Sequence, residues 1–229
     1  MAKAVLILSG GLDSTTLMYD LLNKGIEVHA ISFFYGQKHS KELECAHALC
    51  DKLNVPHKII DLEVLNDLAP CALTRSEIEV PEGQYDSDNM KATAVPNRNM
   101  IMLALATAYA ISIGANYVAY GAHAGDHTIY PDCRPKFVKH MTDAIASCDW
   151  SKVELLVPYL YMTKGEIVKV GLSLGVDYSD TWTCYKGGDK ACGKCGSCIE
   201  RLEAFAFANA VDPIEYETTE EETTEEESE

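Results

Sequence analysis

Short apolar runs alternate along the chain with longer stretches of helical spacing. The first run, Ala4-Val5-Leu6-Ile7-Leu8, ends at glycine and predicts a strand buried on both faces. After Gly10-Gly11, apolar positions at Leu17, Met18, Leu21 and Leu22 predict a helix. Glu27–Phe34 and His57–Asp61 read as further strands around a helix over 40–53. An apolar helix rich in Ala, Leu and Met follows Val95-Pro96-Asn97-Arg98-Asn99 and runs to about Ile113. Strands over 117–121 and 154–157 enclose a helix over 135–148, and Thr163-Lys164-Gly165-Glu166 is a capping box opening a helix to about Leu174. This alternation with short connections predicts an α/β fold, a twisted parallel sheet with helices on both faces. The polar stretch 70–94 breaks the rhythm; it is expected to be a mobile lid beside the site, or a surface insertion without a role.

Charge changes this picture only at the end of the chain. The 229 residues carry a net charge of −16, but ten acidic and no basic residues lie from Asp212 onward, leaving 25 acids against 19 bases before it, a balance of −6. Residues 214–229 are therefore expected to form an acidic disordered tail, behind a main domain over 1–178 and a C-terminal segment over 179–213. An acidic folded part argues against direct nucleic-acid binding. No apolar run approaches the roughly 20 residues that span a bilayer, so no membrane partner is expected. The first residues pass straight into a strand without a signal-peptide pattern, and a cytoplasmic location is expected. Nine cysteines, four of them crowded near the C-terminus, then suggest metal binding in a reducing compartment rather than a disulfide framework.

Two stretches carry candidate chemistry. Ser9-Gly10-Gly11-Leu12-Asp13-Ser14 joins the first strand to the first helix, where backbone N–H groups, a helix N-terminus and the hydroxyls of Ser9, Ser14, Thr15 and Thr16 can receive phosphate. No lysine closes the loop and no G-x-G-x-x-G follows the strand, which excludes two commoner phosphate loops. The pattern resembles the signature of PP-loop ATP pyrophosphatases, which split ATP between its α and β phosphates. Asp13 suits a Mg²⁺ bridging the pyrophosphate oxygens; an ordinary tight turn is the plainer alternative. Arg98 falls in the first turn of its helix, the unfavourable end for a cation; a salt-bridged surface arginine is the plainer reading, and a place beside nucleotide phosphates would compensate for the misplacement. The polar loop from His123 to Arg134 leaves the carboxyl end of the fourth strand and should face the same crevice. The second stretch holds Cys184, Cys192, Cys195 and Cys198, spaced to wrap one Zn²⁺ tetrahedrally in a helical appendage, with Lys186, Lys190, Lys194 and Arg201 around the thiolates. An iron–sulfur cluster is the rival occupant, and free structural thiols the plainer reading. With four protein ligands, such a zinc would serve stability before activity.

Taken together, the phosphate loop, Tyr-Gly-Gln at 35–37, Val-Pro-Asn-Arg-Asn at 95–99, Tyr-Pro-Asp-Cys-Arg at 130–134 and Thr-Trp-Thr-Cys-Tyr through Cys198 resemble the 7-cyano-7-deazaguanine synthase family from Lys3 to about Pro213. The resemblance implies conversion of 7-carboxy-7-deazaguanine and ammonia to the nitrile with two adenylylations, feeding queuosine- or archaeosine-type tRNA modification. It implies ATP contacts from Leu8, Ser9, Gly10, Gly11, Leu12, Asp13, Ser14, Thr15, Thr16, Leu17, Met18 and Lys38, with Asp13, Ser14 and Arg98 catalytic. It also implies substrate contacts from His123, Asp126, Tyr130, Asp132 and Arg134, and zinc on the four cysteines. Two departures, His127-Thr128-Ile129 and Phe34 with Lys38-His39, bear on pocket contacts rather than on the reaction. The partners implied are small molecules, and a homodimer stays open as the assembly. A tRNA-thiolating ATPase of the same superfamily would need a basic surface and a reactive cysteine near the crevice. A zinc-knuckle binding module would not need an intact Asp13.

Overall fold

The computed structural model describes residues 1–38, 40–75, 78–83 and 88–217. β1 (Lys3–Ile7), α1 (Leu12–Asn23), β2 (Glu27–Phe34), α2 (Lys41–Leu53) and β3 (His57–Asp61) follow one another with short connections. A five-residue helix, α3 (Val64–Leu68), comes next and is too short to show a period in the sequence. Then follow α4 (Arg98–Ser112), β4 (Tyr117–Ala119), α5 (Pro135–Ser147), β5 (Glu154–Leu156), α6 (Lys164–Ser173) and α7 (Gly196–Phe207).

The five strands form one sheet in the order β3-β2-β1-β4-β5, parallel throughout. β1 is central, and Ala4, Val5 and Leu6 are each fully buried. Successive side chains point to opposite faces: Val5 joins Leu103, Ala106 and Ala110 of α4, whereas Ala4 and Leu6 join Leu17 and Leu21 of α1 and Ile167 of α6. A strand covered on both sides cannot alternate apolar with polar residues, which explains the unbroken apolar run. Each fully buried Leu contributes roughly 1.5–3 kcal/mol. The chain leaves β1 toward β2 on one side and meets β4 on the other, so the carboxyl edge of β1 is the switch point where an open α/β sheet presents a crevice.

The stretch over 70–94 departs from the lid expectation. Cys71, Ala72, Leu73, Met90 and Thr93 are buried, Ala72 N–H donates to the Ala92 carbonyl, and Thr93 Oγ1 bonds both the Met90 carbonyl and Tyr130 OH. Both ends are thus built into the core through a 3₁₀ turn and irregular backbone, which have no sequence period to read. Residues 76, 77 and 84–87 of this stretch lie outside the described residues.

The C-terminal appendage is also larger than expected. α7 ends at Phe207, and Asn209 beyond it takes the left-handed conformation (φ 53°). Residues 214–217, expected with the tail, are placed: Ala191 N–H donates to the Glu215 carbonyl and Glu217 N–H to the Ala191 carbonyl. Residues 218–229 of the expected tail lie outside the described residues. Arg201, expected near the thiolates, is spoken for elsewhere. It is completely buried and donates to both carboxylate oxygens of Asp212 (2.7 and 2.9 Å), to Thr181 and Thr183 Oγ1, and to the Tyr178 carbonyl. A buried guanidinium is tolerated when its donors are satisfied in this way. Among the described residues no helix is long and apolar enough to cross a membrane.

Candidate active site

The loop between β1 and α1 is shaped by its own residues. Gly10 has φ +87°, and a Cβ there would stand 1.9 Å from the Glu42 carbonyl, so only glycine lets the loop lie against α2. Ser14 Oγ receives the Ser9 N–H (3.2 Å), and the Ser9 and Ser14 hydroxyls meet at 3.0 Å. Gly11 is the N-cap of α1 and offers no side chain to its first amides. Those amides open on a cavity at the carboxyl edge of the sheet. Its wall includes Leu8, Ser9, Gly11, Leu12, Asp13 and Ser14 from the loop, and Tyr35, Glu42, Arg98, Asn99, Tyr120, Asp126, Tyr130, Cys133, Lys164, Thr183, Tyr185 and Ser197 from elsewhere.

Asp13 is the centre of a buried charge network. Its Oδ2 lies 3.5 Å from Lys164 Nζ and 3.7 Å from His123 Nε2, and Lys164 also meets Glu200 Oε2 at 2.5 Å. His123 Nδ1 accepts the Gly125 N–H, so its proton sits on Nε2, between Asp13 and Asp126 (3.6 Å). Burial works against the Lys164 charge, yet Asp13, Glu200 and Asp126 hold its pKa above the usual lysine value. Asp13 Oδ1 is buried and has no hydrogen-bond partner among the described residues. It is therefore the oxygen left for a cation or a donor brought by a ligand. Tyr120 OH is likewise buried without a partner at the cavity wall. Across the cavity, Arg98 donates to Tyr35 OH (3.1 Å) with its guanidinium over the same ring, and burial pushes that phenol above its usual pKa. Burial also pushes the Glu42 carboxyl up to about 7, while Arg98 and Lys164 pull the other way.

Several residues named from the sequence stand apart from this wall. Thr16 Oγ1 bonds the Leu12 carbonyl and Tyr178 OH, while Thr15, Leu17 and Met18 are buried on α1 beneath the loop. Lys38 Nζ donates to the Ile78 carbonyl in a neighbouring groove. Of the loop from His123 to Arg134, Asp126 and Tyr130 line the cavity, and His123 stands behind Asp13 and Asp126. Asp132 instead accepts the Asn99 N–H at 3.1 Å, and Arg134 is exposed, donating to the carbonyls of His127 and Thr128. Glu42, Tyr120 and Lys164 were not expected in the site. Lys164 sat inside the capping-box motif, which is present as read: Thr163 Oγ1 accepts the Glu166 N–H.

The cysteine cluster forms one side of the same region. The four Sγ atoms lie within 4.8 Å of one another and all four residues are buried, a set able to hold a metal ion. Sγ of Cys192 accepts N–H groups of Lys194 (3.4 Å) and Cys195 (3.3 Å), and hydrogen bonding with Cys184 and Cys198 holds the Cys195 thiol below its usual pKa. Thr183, Tyr185 and Ser197, immediate neighbours of Cys184 and Cys198, reach the cavity wall. The segment 78–83 clips onto the cluster through the Gly83 N–H to the Lys194 carbonyl and the Glu82–Lys186 ion pair.

A parallel sheet carrying Ser-Gly-Gly-Leu-Asp-Ser at its switch point defines a PP-loop-type fold. The solved structure of NMN synthetase from Francisella tularensis shares that fold with a TM-score of 0.52 at 15% identity, over 91% of this chain and 77% of that one. Residues 3–209 match the family described as queuosine biosynthesis protein QueC, and the chain belongs to that family. It is 62% identical over 215 residues to the 7-cyano-7-deazaguanine synthase of Methanoregula boonei, covering 94% of this chain and 99% of that protein. The 7-cyano-7-deazaguanine synthase of Caldicellulosiruptor saccharolyticus is 60% identical over 94% of this chain and 96% of its own length.

Proposed function

We infer that this chain converts 7-carboxy-7-deazaguanine and ammonia to 7-cyano-7-deazaguanine, consuming ATP and releasing AMP and pyrophosphate. The observation that carries this reading is membership of the family over residues 3–209, with the phosphate loop intact at the sheet's switch point. Carboxylate and amide oxygens leave poorly, and transfer of the adenylyl group turns each into a phosphate leaving group. One activation followed by ammonia gives the amide; a second, followed by loss of the oxygen, gives the nitrile.

In this reading the loop residues Ser9, Gly10, Gly11 and Ser14 and the first amides of α1 receive the departing pyrophosphate. The loop has no lysine of its own, and Lys164 supplies a cation from α6, 3.5 Å from Asp13. Mg²⁺ accompanying ATP adds positive charge at the phosphate oxygens, and the unpartnered Oδ1 of Asp13 fits a hard cation. Arg98 faces the cavity from the opposite wall, where it can meet the nucleotide phosphate. Asp126, Tyr130, Asn99 and the unpaired Tyr120 hydroxyl are the polar groups available to a guanine-like base.

Zinc is the metal we propose for the four cysteines. With zinc–sulfur bonds near 2.3 Å, tetrahedral thiolates stand roughly 3.8 Å apart. The Cys192–Cys198 and Cys195–Cys198 separations of 3.9 and 3.4 Å bracket that value. Sulfurs this close surround room for a single ion, which favours it over a multi-iron cluster. A thiolating activity finds less support. Cys133 does line the cavity, but burial pushes its thiol far above the usual range, and Asn99 Nδ2 already donates to its Sγ.

Incubation of the purified protein with the carboxy-deazaguanine, ATP, Mg²⁺ and ammonium, read by mass, tests the assignment. The expected products are the nitrile with AMP and pyrophosphate, two ATP for each nitrile. ADP and orthophosphate as the main products would overturn it.

A further inference from the structure

One carboxylate in the cavity wall has no task in the scheme above. Glu42 lies in the first turn of α2, and its own carbonyl packs against Gly10 of the phosphate loop. Its side chain lines the cavity together with Asp13, Tyr35, Arg98 and Lys164. Among the described residues the carboxylate accepts no hydrogen bond, whereas Asp13 and Asp126, the other acids of that wall, each meet His123 Nε2 (3.7 and 3.6 Å). A half-buried carboxylate left without a donor is costly unless a ligand brings one. The inferred reaction brings a nitrogen nucleophile, carrying protons it must lose, into this same cavity.

We propose that Glu42 is the general base that takes a proton from ammonia as it attacks the adenylylated carboxylate; the proposal rests on the reaction inferred above. In that step the ammonia nitrogen forms a bond to the acyl carbon, and the bond from that carbon to the AMP oxygen breaks. Its electron pair leaves with AMP, and one N–H proton passes to the Glu42 carboxylate, giving the neutral amide. The proton then returns to solvent. The second adenylylation, on the amide oxygen, releases one of the two N–H protons to solvent as the neutral imidate forms, and the same group then accepts the last N–H proton. The N–H electron pair becomes the third carbon–nitrogen bond as AMP departs.

The surroundings suit such a base. Arg98 from α4 and Lys164 from α6 face it, Tyr35 stands beyond β2, Cys45 lies one turn along α2, and Asp13 borders the loop. Burial outweighs the two cations and pushes the carboxyl up to about 7, near the pH at which a proton acceptor has to work. The rival task for the same carboxylate is to bind the N–H edge of the deazapurine, and kinetics separate the two.

The test uses the full chain with Glu42→Gln and Glu42→Asp. Adenylylation is read as pyrophosphate–ATP exchange dependent on the carboxy-deazaguanine, without ammonia, and amidation as kcat/KM for free ammonia between about pH 6 and 9. In Glu42→Gln the ammonia kcat/KM should fall at least about 10²-fold and lose the pH limb near 7, while exchange persists. Glu42→Asp should keep the limb with a smaller loss. A raised KM for the carboxy-deazaguanine with unchanged ammonia dependence would assign Glu42 to base recognition and overturn the proposal. Exchange absent from the wild type would remove the reaction reading and this proposal together, so the two failures are distinguishable.

Discussion

Asp13 faces the Lys164 ammonium on α6 and His123 Nε2 after β4, yet one of its oxygens has no partner among the described residues. A carboxylate held in place and left half-satisfied suits a group whose last partner arrives with the ligand. Asp13→Asn keeps the shape and removes the charge, so it should cut turnover at least about 10²-fold, the scale of one electrostatic transition-state contact. Lys164 retains Glu200 in that variant. The melting midpoint should therefore move little, and the pairing of a kinetic assay with a thermal melt checks both halves. Glu42 behaves differently. Its carboxyl is raised from 4.5 to about 7 on folding, so the native state holds a proton that the unfolded chain has released. Its contribution to stability is full below about pH 4.5 and is lost as pH rises through 7, a swing of roughly 3 kcal/mol. Thermal melts of the ligand-free protein should show wild type losing stability relative to Glu42→Gln on going from about pH 5 to 7. A constant difference across that window would mean that the carboxyl titrates normally.

At the scale of single elements, α4 shows what the sequence could and could not disclose. Its apolar spacing was legible, and so was the oddity of Arg98 at its positive end. The compensation was not: Asp132, from the loop after β4, accepts the Asn99 N–H and sets a carboxylate at that end of the helix. Asp132→Ala should lower stability by about 1 kcal/mol, as loss of a helix cap does. It should also loosen Arg98, so turnover should fall more than the melting midpoint implies; equal losses would make Asp132 a cap alone. The strands were legible because burial on both faces forbids polar residues in them. The phosphate loop was legible because its chemistry is local. Lys164 and Glu42 were not, because a helix places them in the cavity only through packing: α6 against α1 and α7, and α2 against Gly10. Thr163 and Glu166 announced a helix start, and that local role hid the lysine between them. The stretch over 70–94 evaded reading for the opposite reason, since it buries Met90 and Thr93 in a short 3₁₀ turn that has no apolar period to read.

For the molecule as a whole, the cysteine cluster links the active site to the chain's end. Trp182 N–H donates to the Gly10 carbonyl, joining the phosphate loop to the segment that leads into Cys184. Tyr216 OH donates to Asp212, whose carboxylate holds the buried Arg201 of α7. The segment 78–83 is clipped to the cluster, and Thr183, Tyr185 and Ser197, each next to a cysteine of the cluster, line the cavity wall. The sequence alone suggested a zinc that serves stability before activity. The geometry points instead to both being lost together, since the residues that border the ligands also border the site. Metal binding of this kind is part of the folding free energy, and losing one ligand releases the backbone on either side of it. Cys195→Ser should therefore lose the ion and melt at lower temperature, and its folded fraction should turn over at least about tenfold more slowly, the range seen when support around a metal is removed. Metal analysis, a thermal melt and turnover per folded molecule, measured on one preparation, check the three parts. Full turnover in a folded, metal-free fraction would reduce the cluster to a clamp on the C-terminal segment.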